Sequence, residues 1–124
     1  MMATREDQRR VLVVEDDDDM REVVSLTLRA NRYDVQDFGD GATAIETARR
    51  QSFDIAVVNL KMPNISGAAV IKQIKQRQPE LPVVIITGSL APEQEELAGM
   101  FSRILYKPFR IEELRETVEE VLSR

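Results

Sequence analysis

Cysteine and histidine are both absent from these 124 residues, and the two absences remove much of enzyme chemistry. Without cysteine there is no disulfide framework and no thiolate nucleophile, which fits a reducing compartment such as the cytoplasm. Without histidine the chain lacks the commonest general base and the commonest transition-metal ligand, so most hydrolase and zinc readings weaken together. Long apolar runs are missing too. Those present are strand-sized, and no segment is expected to cross a membrane. Residues 1–10 are polar and charged, without the hydrophobic core of a signal peptide, and we expect a flexible lead-in over residues 1–9. A net charge of −5 disfavours nucleic acid as a direct partner, because phosphate binding needs a basic face.

What is present describes an ordinary globular domain over residues 10–124. Hydrophobic content is 43% and charged content 31%, enough for one well-packed core. Strand and helix patterns alternate five times. Strands are expected near 11–15, 33–37, 54–59, 82–87 and 102–106. The first, third and fourth are continuous apolar runs, as for strands buried on both faces. Tyr33 to Phe38 alternates instead and reads as an edge strand. Between the strands lie helical stripes: Val23, Val24 and Leu28; Val70, Ile71 and Ile74; and Ile111, Leu114, Val118 and Val121. Asp40 before Gly41 suits an N-cap. A fourth helix is expected from Pro92 to about Gly99. Repeated βα units imply a parallel, doubly wound α/β sheet with helices on both faces.

The chemistry gathers where the strands end. Val11 to Val14 leads into Glu15-Asp16, Ile55 to Val58 into Asn59, Val83 to Ile86 into Thr87-Gly88, and Ile104 to Tyr106 into Lys107-Pro108. In a parallel sheet those carboxyl ends share one edge, where ligands bind. This convergence favours strand one in the middle, beside strand three. Asp18 and Asp19 read as a solvated face complementing a helix dipole. Glu15 and Asp16 differ, because adjacent carboxylates fixed to a buried strand repel unless a cation sits between them, and oxygen-only ligands suit Mg²⁺. Asn59 reads either as a neutral strand-end residue or as a metal ligand through its oxygen. Carrying no charge, it is a very poor phosphoryl acceptor. Pro63 stiffens the following loop and lets the Lys61 carbonyl point at the pocket. Thr87 either ends a strand or offers its hydroxyl to a phosphoryl oxygen, with Gly88 leaving room. Lys107 either opens a turn or pairs with the carboxylates.

Jointly, Val11-Leu12-Val13-Val14-Glu15-Asp16-Asp17, the run Asp54 to Gly67, Thr87-Gly88 and Lys107-Pro108-Phe109 resemble the receiver domain of bacterial two-component response regulators. The blocks lie in order across residues 10–124. The resemblance implies a flavodoxin-like fold whose five-stranded parallel sheet has the order 2-1-3-4-5. It also implies that Glu15 and Asp16 bind Mg²⁺, that the Lys61 carbonyl completes that site, that Thr87 is the switch hydroxyl, and that Lys107 contacts the phosphoryl group. Two positions depart. The phospho-accepting aspartate falls on Asn59, and the switch aromatic on Ile104, with Tyr106 on the same strand face. Asn59 is either native, making a pseudo-receiver, or an engineered replacement of aspartate; Ile104 favours a naturally atypical domain.

The resulting expectation is a non-enzymatic, cytoplasmic single-domain response regulator, not phosphorylated in the usual way, with a Mg²⁺ site weakened by Asn59. Its input partner would be a sensor histidine kinase or phosphotransfer protein. Its output would run through another protein, since no DNA-binding module follows within the chain. The fourth helix, strand five and fifth helix form a candidate homodimer face carrying Glu93, Glu96, Arg103, Glu112 and Arg115. A small Mg²⁺-dependent phosphatase or phosphotransferase lacks its aspartate nucleophile and histidine base. A flavin module would set consecutive aspartates against a phosphate.

Overall fold

Apolar strands and amphipathic helices alternate as β1 (Arg10–Val14), α1 (Asp18–Ala30), β2 (Asp34–Phe38), α2 (Gly41–Arg50), β3 (Ile55–Asn59), α3 (Gly67–Arg77), β4 (Val83–Thr87), β5 (Arg103–Tyr106) and α4 (Ile111–Leu122). The computed structural model describes residues 8–88 and 96–123. The five strands form one sheet in the order β2-β1-β3-β4-β5, and every neighbouring pair is parallel. β1 therefore sits inside the sheet beside β3, and the alternating strand β2 is an edge, as the patterning indicated.

Period two along each strand sorts the core into two layers. Leu12, Val14, Ala56, Val58, Val83 and Ile85 face one side with α2 and α3. Val11, Val13, Ile55, Val57, Val84 and Ile86 face the other with Val24 and Leu28 of α1 and Leu114, Val118 and Val121 of α4. Strands buried on both faces have no polar positions to spare, which is why β1, β3 and β4 read as unbroken apolar runs.

Helix starts are held by side chains that accept the orphan N–H groups of the first turn. Asp17 accepts from Met20 N at 3.0 Å, Asp40 from Thr43 N at 2.8 Å, and Ser66 from Ala69 N at 3.2 Å. Two expected core positions are corrected. Val23 is exposed, because Val24 and Leu28 one turn apart take the buried face of α1 and Val23 lies about 100° round from Val24 and about 140° from Leu28. Ile111 is also exposed, lying in the first turn of α4 before Leu114 reaches the sheet. The first half of the helix expected from Pro92 to Gly99, residues 92–95, lies outside the described residues, as do residues 1–7 of the expected lead-in. Within what is described, Leu97 is buried and Gly99 has φ 82°, the left-handed conformation of a helix end.

Candidate functional site

Because all strands run the same way, the loops after β1, β3, β4 and β5 emerge at one edge of the sheet, and the polar strand ends converge there. Glu15 directly follows β1 and is fully buried; its N–H still donates to Phe38 O at 3.0 Å, extending the ladder toward β2. Asn59 ends β3 at 5% exposure. Its Nδ2 donates to Glu15 Oε2 at 2.9 Å, to Asp16 Oδ1 at 3.0 Å and to the Lys61 carbonyl at 2.9 Å. Lys107, directly after β5, sets its Nζ 3.0 Å from Glu15 Oε1. Among the described residues that oxygen has no other close partner than this ammonium. Burial pushes the Glu15 carboxyl above its ordinary value, against the opposing pull of Lys107 and of the Asp17 N–H.

The other expected residues lie around this cluster. Thr87 is buried at the end of β4, in register with Tyr106, and its carbonyl accepts from Lys107 N at 2.8 Å. Gly88 is exposed, and a Cβ there would meet no atom within 4 Å, so packing alone does not demand glycine. The Lys107–Pro108 peptide is cis. Ile104 is half-buried against the α2/α3 side of the core, whereas Tyr106, on the same face, is 45% exposed. Asp18 and Asp19 are exposed in the first turn of α1, as expected for a solvated face.

Two supporting residues escaped the sequence reading. Arg21 donates to the Glu15 carbonyl at 3.0 Å and pairs with Asp18 at 2.6 Å, tying α1 to the β1 end of the site. No spacing rule links a helix position to a strand-end carbonyl six residues earlier. Gly67, which the sequence reading placed only at the end of a motif run, is required by contact: a Cβ there would stand 2.1 Å from Asn59 O and 2.7 Å from Leu60 Cα. Its N–H closes the loop by donating to Leu60 O at 2.8 Å. The glycine thus presses the start of α3 onto the strand end that carries Asn59.

Glu15, Asp16 and the Lys61 carbonyl supply hard oxygens, the kind Mg²⁺ takes. The arrangement does not otherwise fit a cation. The amide hydrogens of Asn59 are turned onto all three oxygens, and no group of three acidic, histidine or cysteine side chains among the described residues is arranged to hold a metal. No helix among the described residues is long and apolar enough to cross a membrane.

Comparison with known proteins places this geometry. The response regulator receiver domain family matches residues 11–119. The probable transcriptional regulatory protein TcrX of Mycobacterium tuberculosis is 36% identical over 117 residues, which cover 92% of this chain and 50% of TcrX, so this chain spans about half of that relative. The chemotaxis protein CheY4 of Vibrio cholerae superposes with a TM-score of 0.85 at 28% identity, over 92% of this chain and 98% of that one. The receiver domain of the sensor histidine kinase PA1611 of Pseudomonas aeruginosa, solved with magnesium in its active-site cleft, has a TM-score of 0.85 at 24% identity, over 94% of this chain and 99% of that one. At that identity the likeness concerns the fold.

Proposed function

This chain belongs to the response regulator receiver family, and on that premise we propose that it is a receiver domain of two-component signalling that does not take a phosphoryl group at Asn59. Receiver domains are signalling modules that bind Mg²⁺ and interact with histidine kinases or phosphotransfer proteins. The observation that carries the reading is the Asn59 side chain, buried at the centre of the strand-end pocket and bonded through its nitrogen to Glu15 and Asp16. Phosphoryl transfer to a receiver forms a bond from a carboxylate oxygen to phosphorus. An amide has no anionic oxygen to attack with, and here its nitrogen is turned into the acidic pair.

Thr87, Gly88 and Lys107 are the remaining phosphoryl-contacting positions, with Ile104 where an aromatic switch would stand. In this reading they retain the layout of a phosphoryl-transfer site without its acceptor. Glu15, Asp16, Asn59 and the Lys61 carbonyl stand where the family's metal position lies, and with an amide in place of one charged ligand and its hydrogens facing the other oxygens, Mg²⁺ affinity falls below that of the aspartate version. The domain acts in the cytoplasm by contact with a sensor kinase, a phosphotransfer protein or a second copy of itself. The homodimer face runs over β5, α4 and the described residues 96–99 ahead of β5. Part of its charge is already engaged within the chain: Arg103 pairs with Glu120, Arg115 lies 3.1 Å from Glu119, and Glu96 lies 3.2 Å from Lys72. Glu93 lies outside the described residues, and Glu112 is exposed.

The test is intact-mass spectrometry after incubation with Mg²⁺ and acetyl phosphate, on this chain and on Asn59→Asp in parallel. We expect a phosphoryl adduct on the aspartate version alone. An adduct on the unaltered chain overturns the reading. An adduct on neither shows that the pocket departs from a working receiver site at more than one position.

A further inference from the structure

The three acceptors around Asn59 carry a consequence beyond the loss of a nucleophile. Glu15 Oε2, Asp16 Oδ1 and the Lys61 carbonyl converge on Nδ2 at 2.9, 3.0 and 2.9 Å. All three are oxygens with nothing to donate, so only the nitrogen end of the amide, which carries two hydrogens and a partial positive charge, can face them. Two hydrogens are shared among three acceptors, and the remaining Glu15 oxygen has the Lys107 ammonium 3.0 Å away. Each of these four oxygens therefore has a positive or partly positive partner supplied by the chain itself.

We propose that the Asn59 amide is a built-in substitute for the divalent cation, so that the pocket is complete without metal and insensitive to Mg²⁺. The proposal rests on the reading of Asn59 as the acceptor position and adds what its nitrogen does there. Turning the amide to offer Oδ1 to a cation gives up the three hydrogen bonds and sets a third oxygen against two carboxylates. Asn59 is buried at 5% exposure, so an amide turned the other way would leave these hydrogen bonds without a replacement from bulk water. In Asn59→Asp the same site gathers three carboxylates around the Lys107 ammonium, which is the situation a divalent cation relieves. The unaltered chain holds one conformation of the pocket whatever the Mg²⁺ level or phosphoryl donor, and regulation has to enter through a contact surface.

The experiment is thermal unfolding of the full chain, of Asn59→Asp and of Asn59→Ala, each in EDTA and in millimolar MgCl₂. The unaltered chain should show the same Tm in both. Asn59→Asp should melt more than about 4 °C lower in EDTA and recover in MgCl₂. Asn59→Ala, which removes the donor without adding charge, should melt below the unaltered chain in EDTA. If Asn59→Asp fails to fold in EDTA, the Asn59→Ala comparison still decides. Two results overturn the proposal: a Mg²⁺-dependent rise in the unaltered chain as large as that of Asn59→Asp, or an Asn59→Ala variant as stable as the unaltered chain in EDTA. Neither depends on phosphorylation, so failure here is distinct from failure of the acetyl phosphate test.

Discussion

Replacing Lys107 by methionine leaves the buried Glu15 carboxylate without its ammonium. At their separation of 3.0 Å, two unit charges attract by about 5.5 kcal/mol for an effective dielectric near 20. That gross figure overstates the loss, because part of it offsets the dehydration of the ammonium in the folded state. The Lys107 side chain keeps 27% of its exposure while that of Glu15 keeps none, so water screens one end of the pair. Truncating one partner of a buried pair costs about 3–5 kcal/mol, and partial exposure sets the expectation for Lys107→Met at about 2–3 kcal/mol. Methionine retains most of the aliphatic stem, so little packing is lost with the charge. Urea unfolding at neutral pH measures this as a fall in midpoint at constant slope. Adding Glu15→Gln should recover part of the loss, since the buried group then carries no charge, and the double-mutant cycle isolates the coupling. A loss below about 1 kcal/mol, or strictly additive single and double variants, refutes the view that Lys107 is held by the Glu15 charge.

The glycine contact and the homodimer face yield further expectations. Gly67→Ala forces a methyl to within 2.1 Å of Asn59 O, which backbone movement has to relieve. It should destabilise the domain by at least about 2 kcal/mol, and a urea midpoint equal to that of the unaltered chain contradicts the required approach. Sedimentation velocity should show a concentration-dependent dimer that weakens when Arg103 and Arg115 are both changed to Glu. A monomer at high concentration rules the face out.

The strands and their order were readable for different reasons. The runs at β1, β3 and β4 are apolar at every position because both sheet faces are covered, and the strand limits fall within one residue of the expected ones. Asp40 was readable as a cap because its side chain acts within its own turn. Val23 and Ile111 were misplaced for a shared reason: an apolar residue at helical spacing shows which face is apolar on average, but how far round that face the sheet reaches depends on the neighbouring layer. Within the site, residue types at the strand ends were legible, since each stands next to a buried run in the chain. Gly67 was not, because its constraint comes from a backbone atom eight residues away.

By itself the sequence determined the alternation of strands and helices, the family, and the set of residues delivered to the carboxyl edge, Glu15, Asp16, Asn59, Thr87 and Lys107. The alternation and the strand-end residues follow from period and local chemistry, which act over a few residues, whereas the family rests on the resemblance of the motif blocks. The tertiary structure alone decided what those residues do to one another: that Lys107 pairs with Glu15, that Tyr106 stays exposed while Ile104 packs inward, and that Asn59 turns its nitrogen toward the acidic pair. The last point is the sharpest. An asparagine in a sequence offers an oxygen or a nitrogen equally, and only the three acceptors brought together by β1, β3 and the loop after β3 choose between them.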